Sequence, residues 1–123
     1  MISLKEVESI HEILIDKFGG TKGIRDRGAL ESAINRPYQT FDQKDLYTDH
    51  IDKAAAIFES VISNHPFIDG NKRTAYVLMR LTLLDNNLDL HVDQNERYDF
   101  ILKAAKGEIK FEQIKEWQRK HVK

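Results

Sequence analysis

The 123-residue sequence contains no cysteine, which excludes disulfide scaffolds and thiolate metal sites. It has two prolines and six glycines, and these form no Pro/Gly-rich linker or low-complexity tract. No apolar run approaches the roughly 20 residues that a bilayer-spanning helix needs, and the first residues lack the apolar core and cleavage site of a signal peptide. We therefore expect a cytoplasmic protein with no membrane partner.

An excess of charge of either sign is also lacking, since 19 Lys and Arg residues face 20 Asp and Glu residues for a formal net charge of −1. This balance provides no basic field to hold a nucleic-acid backbone, so direct nucleic-acid binding is not expected. The length suits one domain, and 41% hydrophobic residues suffice for a single core. We expect residues 1–123 to form one domain.

Apolar residues recur at helical spacing in six segments, whereas strand-like alternation is nearly absent. The first helix is predicted to begin after Ser3, which forms a capping-box pattern with Glu6, and to end at Gly19-Gly20. Five further helices are predicted around residues 29–34, 49–64, 71–86, 93–106 and 111–117. The stretch 38–42, which follows Pro37, should be extended or turn-like. The pattern predicts an all-α fold of about six helices.

The stretch HPFIDGNKRT, residues 65–74, interrupts two apolar helices and concentrates groups suited to phosphate binding. A helix that begins here directs unpaired backbone N–H groups outward at the positive end of its dipole, which makes an anion site. Gly70 allows the backbone to approach a ligand or to adopt positive φ. Lys72 and Arg73 add cationic donors for phosphate oxygens, although their charge opposes the helix dipole unless an anion is bound.

The same stretch also contains a base and a metal ligand. Asp69 offers a hard oxygen ligand for Mg²⁺, and His65 is the group in the stretch that can take a proton near neutral pH. Each has an ordinary structural alternative, because histidines after helices are commonly caps or surface residues and aspartates commonly serve turns. The combination within nine residues favours phosphate chemistry over the separate alternatives.

HPFIDGNKR resembles the signature of the Fic/Doc family, in which a His, a Phe, an acid, a small residue, an Asn and an Arg keep fixed spacing. GIRDRGALESAINRPYQTF, residues 23–41, resembles the segment that leads into the substrate flap of that family, and GEIKFEQIKEW resembles its closing helix. The similarity covers nearly the whole chain, and the length suits the compact death-on-curing (Doc) type. The resemblance implies a single Fic/Doc helical domain with a small flap before the central helices.

Carried over by position, the resemblance implies that His65 is the general base for a target hydroxyl, that Phe67 anchors the loop and that Asp69 holds Mg²⁺. The ATP phosphates would be bound by four consecutive residues, Gly70, Asn71, Lys72 and Arg73. The flap that aligns the target polypeptide would consist of Arg36, Pro37, Tyr38, Gln39, Thr40 and Phe41. Within the flap, a surface charge at Arg36 and a core aromatic at Tyr38 are the structural alternatives.

Two residues depart from the family members that transfer AMP, which usually have Gly in place of Lys72 and a second Arg in place of Tyr76. Arg80 is a poor substitute for that Arg, because it lies seven residues beyond Arg73, about 10 Å farther along the helix. The Lys variant resembles the Doc branch, in which the nucleotide serves phosphoryl transfer to a protein. We therefore expect a kinase-like reaction, with AMP transfer as the alternative.

The family's inhibitory element, Ser or Thr followed four residues later by Glu and then Gly or Asn, has no match in the sequence. The resemblance then implies a toxin restrained by a separate antitoxin protein, and it suggests a translation factor as one class of protein substrate. An inactive or non-enzymatic protein-binding module remains an alternative. A metal-dependent hydrolase would need His65 and Asp69 on one helix, which Pro66 and Gly70 disfavour.

Overall fold

A computed structural model describes residues 2–123, most of which lie in six α-helices. The helices are α1 (Leu4–Phe18), α2 (Arg27–Asn35), α3 (His50–Asn64), α4 (Asn71–Leu84), α5 (Gln94–Ala105) and α6 (Phe111–His121). The predicted all-α fold of about six helices is confirmed. Within residues 2–123, no helix combines the length and the apolarity that crossing a bilayer requires.

Side-chain caps determine where several helices begin. The Oγ of Ser3 accepts a hydrogen bond from the N–H of Glu6, and the Glu6 carboxylate accepts one from the N–H of Ser3, so the predicted capping box is complete. The Asp93 carboxylate likewise accepts from the N–H of Glu96. The Glu96 carboxylate binds the His121 ring at 2.9 Å, and within residues 2–123 it makes no return bond to the N–H of Asp93.

Helix α3 lies at the centre of the fold, where it packs against α4 most extensively and also contacts α2, α5 and α6. Its buried stretch 54–58 begins with three alanines, which let neighbouring helices approach closely, and ends with Phe58. Phe58 stacks on Phe100 of α5, and Phe100 stacks on Trp117 of α6, with ring centroids 5.1 and 3.8 Å apart. The core therefore connects the central helix to both C-terminal helices.

A small hairpin lies between α2 and α3, in the place expected for the flap. After a 3₁₀ turn over Arg36–Tyr38, strand β1 (Thr40–Phe41) pairs antiparallel with strand β2 (Lys44–Asp45). The turn residues Asp42 and Gln43 have φ values of 53° and 64°, as a type I′ turn requires. Strands of two residues are too short to produce an alternating pattern, which explains why the sequence indicated only an extended segment here.

Candidate active site

The loop of residues 65–70 joins the end of α3 to the start of α4. His65 ends α3 in the left-handed conformation, with φ 47° and ψ 59°, and its N–H donates to the carbonyl of Val61. Gly70 precedes α4 in a similar conformation, with φ 76° and ψ 18°. Glycine adopts this region freely, whereas a residue with a Cβ pays about 1–2 kcal/mol. His65 is therefore held in a costly conformation at one end of the loop.

Arg25 holds the backbone at the end of α3 through its guanidinium. The Nε of Arg25 donates to the carbonyl of His65, and Nη2 donates to the carbonyl of Asn64, both at 2.6 Å. These bonds satisfy two of the carbonyls that the end of α3 leaves unpaired. The His65 side chain is exposed, and its ring makes no hydrogen bond within residues 2–123. The imidazole is thus free to meet a ligand.

Phe67 anchors the loop in the core, as the resemblance implied, with 1% of its surface exposed. The side chain of Asn71 holds the backbone of Phe67 twice, since Oδ1 accepts from the Phe67 N–H and Nδ2 donates to the Phe67 carbonyl, each at 2.9 Å. This amide is therefore engaged in ordering the loop. The backbone N–H of Asn71 lies in the first turn of α4, where N–H groups lack a partner within the helix.

His11 also supports the loop of the site, although it belongs to no motif that the sequence shows. Its ring stacks on Phe67 with centroids 3.8 Å apart, and its Nε2 donates to the carbonyl of Asp69 at 2.7 Å. Only 2% of its surface is exposed. One signal could have found it: His11 lies four residues from both Val7 and Ile15, so it shares their buried face of α1.

The Asp69 carboxylate is exposed and accepts two backbone hydrogen bonds. Oδ2 accepts from the N–H of Thr21 at 3.1 Å, and Oδ1 accepts from the N–H of Gly70 at 2.8 Å. Each oxygen keeps a lone pair for a cation. Residues 2–123 contain no cluster of three or more metal-ligating side chains. One carboxylate suits Mg²⁺ that arrives with phosphate ligands and keeps its waters, and does not suit a resident metal.

The guanidinium of Arg36, a residue predicted to belong to the flap, binds groups in the interior of the protein. Its guanidinium donates to the Tyr47 hydroxyl, the Ser60 hydroxyl and the Ala56 carbonyl at 3.0, 3.0 and 3.3 Å, and pairs with Glu59 at 3.0 Å. Its side chain is 24% exposed, which disagrees with a simple surface charge. Arg36 therefore connects the start of the flap to helix α3.

The rest of the predicted flap divides into a packed part and an open part. Pro37 is buried and Tyr38 is half-buried, and burial is the main cause that raises the pKa of the Tyr38 hydroxyl. Gln39 and Thr40 are exposed, and Phe41 exposes 75% of its surface at the hairpin. Residues 39–41 therefore form the accessible part of the segment, and the ring of Phe41 is its exposed apolar group.

A cavity of about 620 Å³ extends beside α4, between that helix, the end of α1 and helix α5. Four cations line it, namely Lys72, Arg73, Arg80 and Arg97, and none of the lining residues is acidic within the described chain, residues 2–123. The structure thus brings two of the predicted phosphate-binding residues, Lys72 and Arg73, to this cavity. His65 and Asp69 lie on the loop outside it.

The cations of the cavity differ in their partners. Both nitrogens of the Arg80 fork contact the Asp89 carboxylate, at 2.7 and 3.0 Å, and this contact lowers the pKa of Asp89 to about 2. Arg73 lies over the ring of Phe18, with Cζ 4.3 Å from its centroid. Arg97 reaches from α5 to the ring of Tyr76, at 5.8 Å. Burial raises the pKa of the Tyr76 hydroxyl, so the phenol stays neutral.

Comparison with known proteins agrees with the sequence signature. The model of the Fic/DOC family matches residues 1–83, which is more than half of the chain and includes the whole loop. The chain belongs to the Fic/Doc family. Toxin Doc of Mycolicibacterium smegmatis is 42% identical over 76 residues, which are 62% of this chain and 58% of that protein. Protein kinase doc of Escherichia phage P1 is 30% identical over 119 residues, 97% of this chain and 93% of that protein.

The match with Toxin Doc thus spans less than two thirds of that relative's length. The Fic/Doc match ends at residue 83, so it includes α1 to α3 and nearly all of α4. Helix α5, which supplies Arg97 to the cavity wall, follows the matched part. The family model therefore includes the loop and the α4 wall of the cavity, and the α5 wall lies outside the residues that this model matches. The match with Protein kinase doc is longer, and its 119 residues include α5.

Proposed function

We propose that this Fic/Doc protein is a Doc-like toxin that uses ATP and Mg²⁺ to phosphorylate a hydroxyl group of a target protein. The observation that carries the proposal is the loop, in which an exposed His65 precedes by five residues the open start of α4 at Gly70. A base close to an anion site is what phosphoryl transfer to a hydroxyl needs. The names of the two relatives, a toxin and a protein kinase, support the same reading.

In the proposed reaction, His65 accepts the proton of the target hydroxyl while the hydroxyl oxygen attacks the γ-phosphorus of ATP. The bond between that phosphorus and the bridging oxygen breaks, and ADP leaves with the electron pair. An imidazole suits this step because it can accept a proton near neutral pH. The hydrogen bond from Arg25 fixes the backbone of His65 and so limits where its ring can lie. A base held in position raises the rate of proton transfer.

The phosphates would be held by the first N–H groups of α4 together with the Lys72 and Arg73 side chains. Gly70 allows this close approach, and Asn71 contributes by holding the Phe67 backbone and through its own N–H. Asp69 would hold Mg²⁺ through its remaining lone pairs. The ion would neutralise charge on the phosphate oxygens.

The protein partners belong to the proposal as well. We propose that the substrate is a protein that docks at the exposed part of the flap. Phe41 offers an apolar contact there on strand β1, which within residues 2–123 is paired along one edge only. A translation factor is the substrate class that the resemblance suggests. An antitoxin protein would restrain the activity, as expected of a relative of Toxin Doc.

Labelled ATP tests the reaction and separates it from AMP transfer. The chain is incubated with bacterial lysate, Mg²⁺ and ATP that carries its label on either the γ- or the α-phosphate. Kinase-like transfer labels a protein from the γ position only, and AMP transfer labels it from the α position only. Mass spectrometry of the labelled band identifies the target and the added mass.

Two variants make the test specific to the loop. His65→Ala should reduce labelling about 10²–10⁴-fold, the usual effect of losing a general base. His91→Ala removes another exposed histidine outside the loop and should leave labelling unchanged. Label from the α position would replace the kinase proposal with AMP transfer. Absence of any label from a folded chain would favour a non-enzymatic module.

A further inference from the structure

The cavity beside α4 has positive charge on two facing walls. Lys72 and Arg73 line it from the first turn of α4, and Arg97 lines it from α5. Within residues 2–123, none of these three forms an ion pair with a carboxylate, in contrast to Arg80. Like charges around one cavity repel each other, and a bound anion would remove that repulsion.

Arg97 faces the same row of α4 residues that begins at the proposed phosphate site. Tyr76 lies three residues after Arg73 and four after Lys72, so these side chains share one face of the helix. The Arg97 guanidinium lies 5.8 Å from the Tyr76 ring, and Arg97 is half-buried. A guanidinium fork matches phosphate oxygens in two hydrogen bonds at once, which an ammonium group cannot do.

The remaining lining distinguishes a nucleotide from a bare anion. The rings of Phe18 and Tyr98, with apolar groups such as Ile101, line the same cavity as the cations. Its volume of about 620 Å³ lies within the range of small-molecule sites. Cations next to aromatic surface fit a ligand with a polyphosphate chain and a planar base.

We infer that Arg97 is a further nucleotide-binding residue. Its guanidinium contacts the polyphosphate chain from α5, and the other end of that chain is held at the start of α4. The inference rests on the proposed use of ATP by this site. Tyr76 acts as a positioning residue, because its neutral ring supports the Arg97 guanidinium. The two walls of the cavity then hold one ligand between them.

The affinity of the full chain for nucleotides tests this inference, measured by isothermal titration calorimetry with ATP and with adenosine. Arg97→Ala should weaken ATP binding about tenfold or more, which is the effect expected for a lost hydrogen bond to a charged group. Adenosine binding should stay the same, because it has no phosphates. Lys103→Ala, which removes an exposed cation of the same helix outside this cavity, is the matched control and should change neither affinity.

A rescue variant tests the placement of the charge. In the chain that combines Arg97→Ala with Tyr76→Arg, a guanidinium reaches the same part of the cavity from α4 and should restore most of the ATP affinity. Arg97→Lys keeps the charge without the fork and should fall between the original chain and Arg97→Ala. Thermal unfolding of each variant shows whether the fold is kept.

Several results would overturn the inference. Equal ATP affinity of the original chain and Arg97→Ala would mean that Arg97 does not bind the phosphates. The cavity would then bind another ligand, such as an acidic protein segment. An equal loss of ATP and adenosine binding would mean that Arg97 supports the shape of the cavity and not the phosphates. If the original chain bound no ATP, the proposed function would fail and the inference with it. ATP-dependent labelling that is insensitive to Arg97→Ala would overturn the inference alone.

Discussion

Replacing His65 with glycine separates the conformational cost of this residue from its proposed chemistry. The backbone of His65 has φ 47° and ψ 59°, where a side chain costs about 1–2 kcal/mol relative to glycine. Its ring is exposed and makes no hydrogen bond within residues 2–123, so its loss removes little packing. The greater freedom of glycine in the unfolded chain offsets about 0.5–1 kcal/mol of the relief. His65→Gly should therefore be as stable as the original chain or up to about 1.5 kcal/mol more stable.

Urea denaturation followed by circular dichroism measures this difference, and a gain of 1 kcal/mol would raise Tm by roughly 4 °C for a chain of this size. His65→Ala is the matched variant, because it removes the ring and keeps the Cβ. Its stability should stay within about 0.5 kcal/mol of the original. Both variants should lose phosphoryl transfer by about 10²–10⁴-fold.

Opposite results would refute different parts of the reasoning. A glycine variant less stable by more than about 1 kcal/mol would mean that the His65 side chain makes stabilising contacts and that its conformation is not costly. A glycine variant that keeps its activity would remove His65 from the mechanism. Stability retained with activity lost would identify His65 as a residue kept for function in a conformation that folding alone does not favour.

Three further predictions concern the loop, the charge beside the cavity and the effect on cells. Asn71→Ala should lower the free energy of unfolding by about 1–3 kcal/mol in urea denaturation, because it leaves the N–H and carbonyl of Phe67 unpaired in a partly buried loop. The Arg80 guanidinium lowers the pKa of Asp89 from 3.8 to about 2, so the stability from this pair is present above pH 4 and lost as pH falls through 2. Asp89→Asn should flatten the dependence of Tm on pH in that window, and an unchanged slope would contradict this. Expression of the chain should slow bacterial growth in growth curves, and equal harm from His65→Ala would argue against an enzymatic toxin.

The helices could be predicted because their signals are local. Ser3 and Glu6 lie one helical turn apart, and each supplies the bond that the other needs, so the start of α1 is encoded within four residues. Gly19 ends α1 and Gly70 precedes α4, and both have the positive φ that glycine adopts readily. The loop residues could be recognised because the Fic/Doc signature is defined by the types and the spacing of consecutive residues, which a sequence shows directly.

The supporting contacts could not be predicted, because they join residues far apart in the sequence. His11 reaches Asp69 across 58 residues, and Arg36 reaches Ser60 across 24. A single sequence does not tell which distant donor meets which acceptor. Arg36 could therefore be read as part of a flap or as a surface charge, whereas its guanidinium lies among α3 groups. Arg97 belonged to no motif, and only the packing of α5 beside α4 brings it to the cavity.

Three side chains bind the backbone of the site's loop, and the His65 ring makes no hydrogen bond within residues 2–123. Arg25 holds the carbonyl of His65, Asn71 holds the N–H and carbonyl of Phe67, and His11 holds the carbonyl of Asp69. Their hydrogen bonds offset the cost of the left-handed conformation at His65, since a costly conformation persists only where its surroundings impose it. Because none of these bonds uses the His65 ring, the loop keeps its geometry while the imidazole remains available as the base that the proposed chemistry requires.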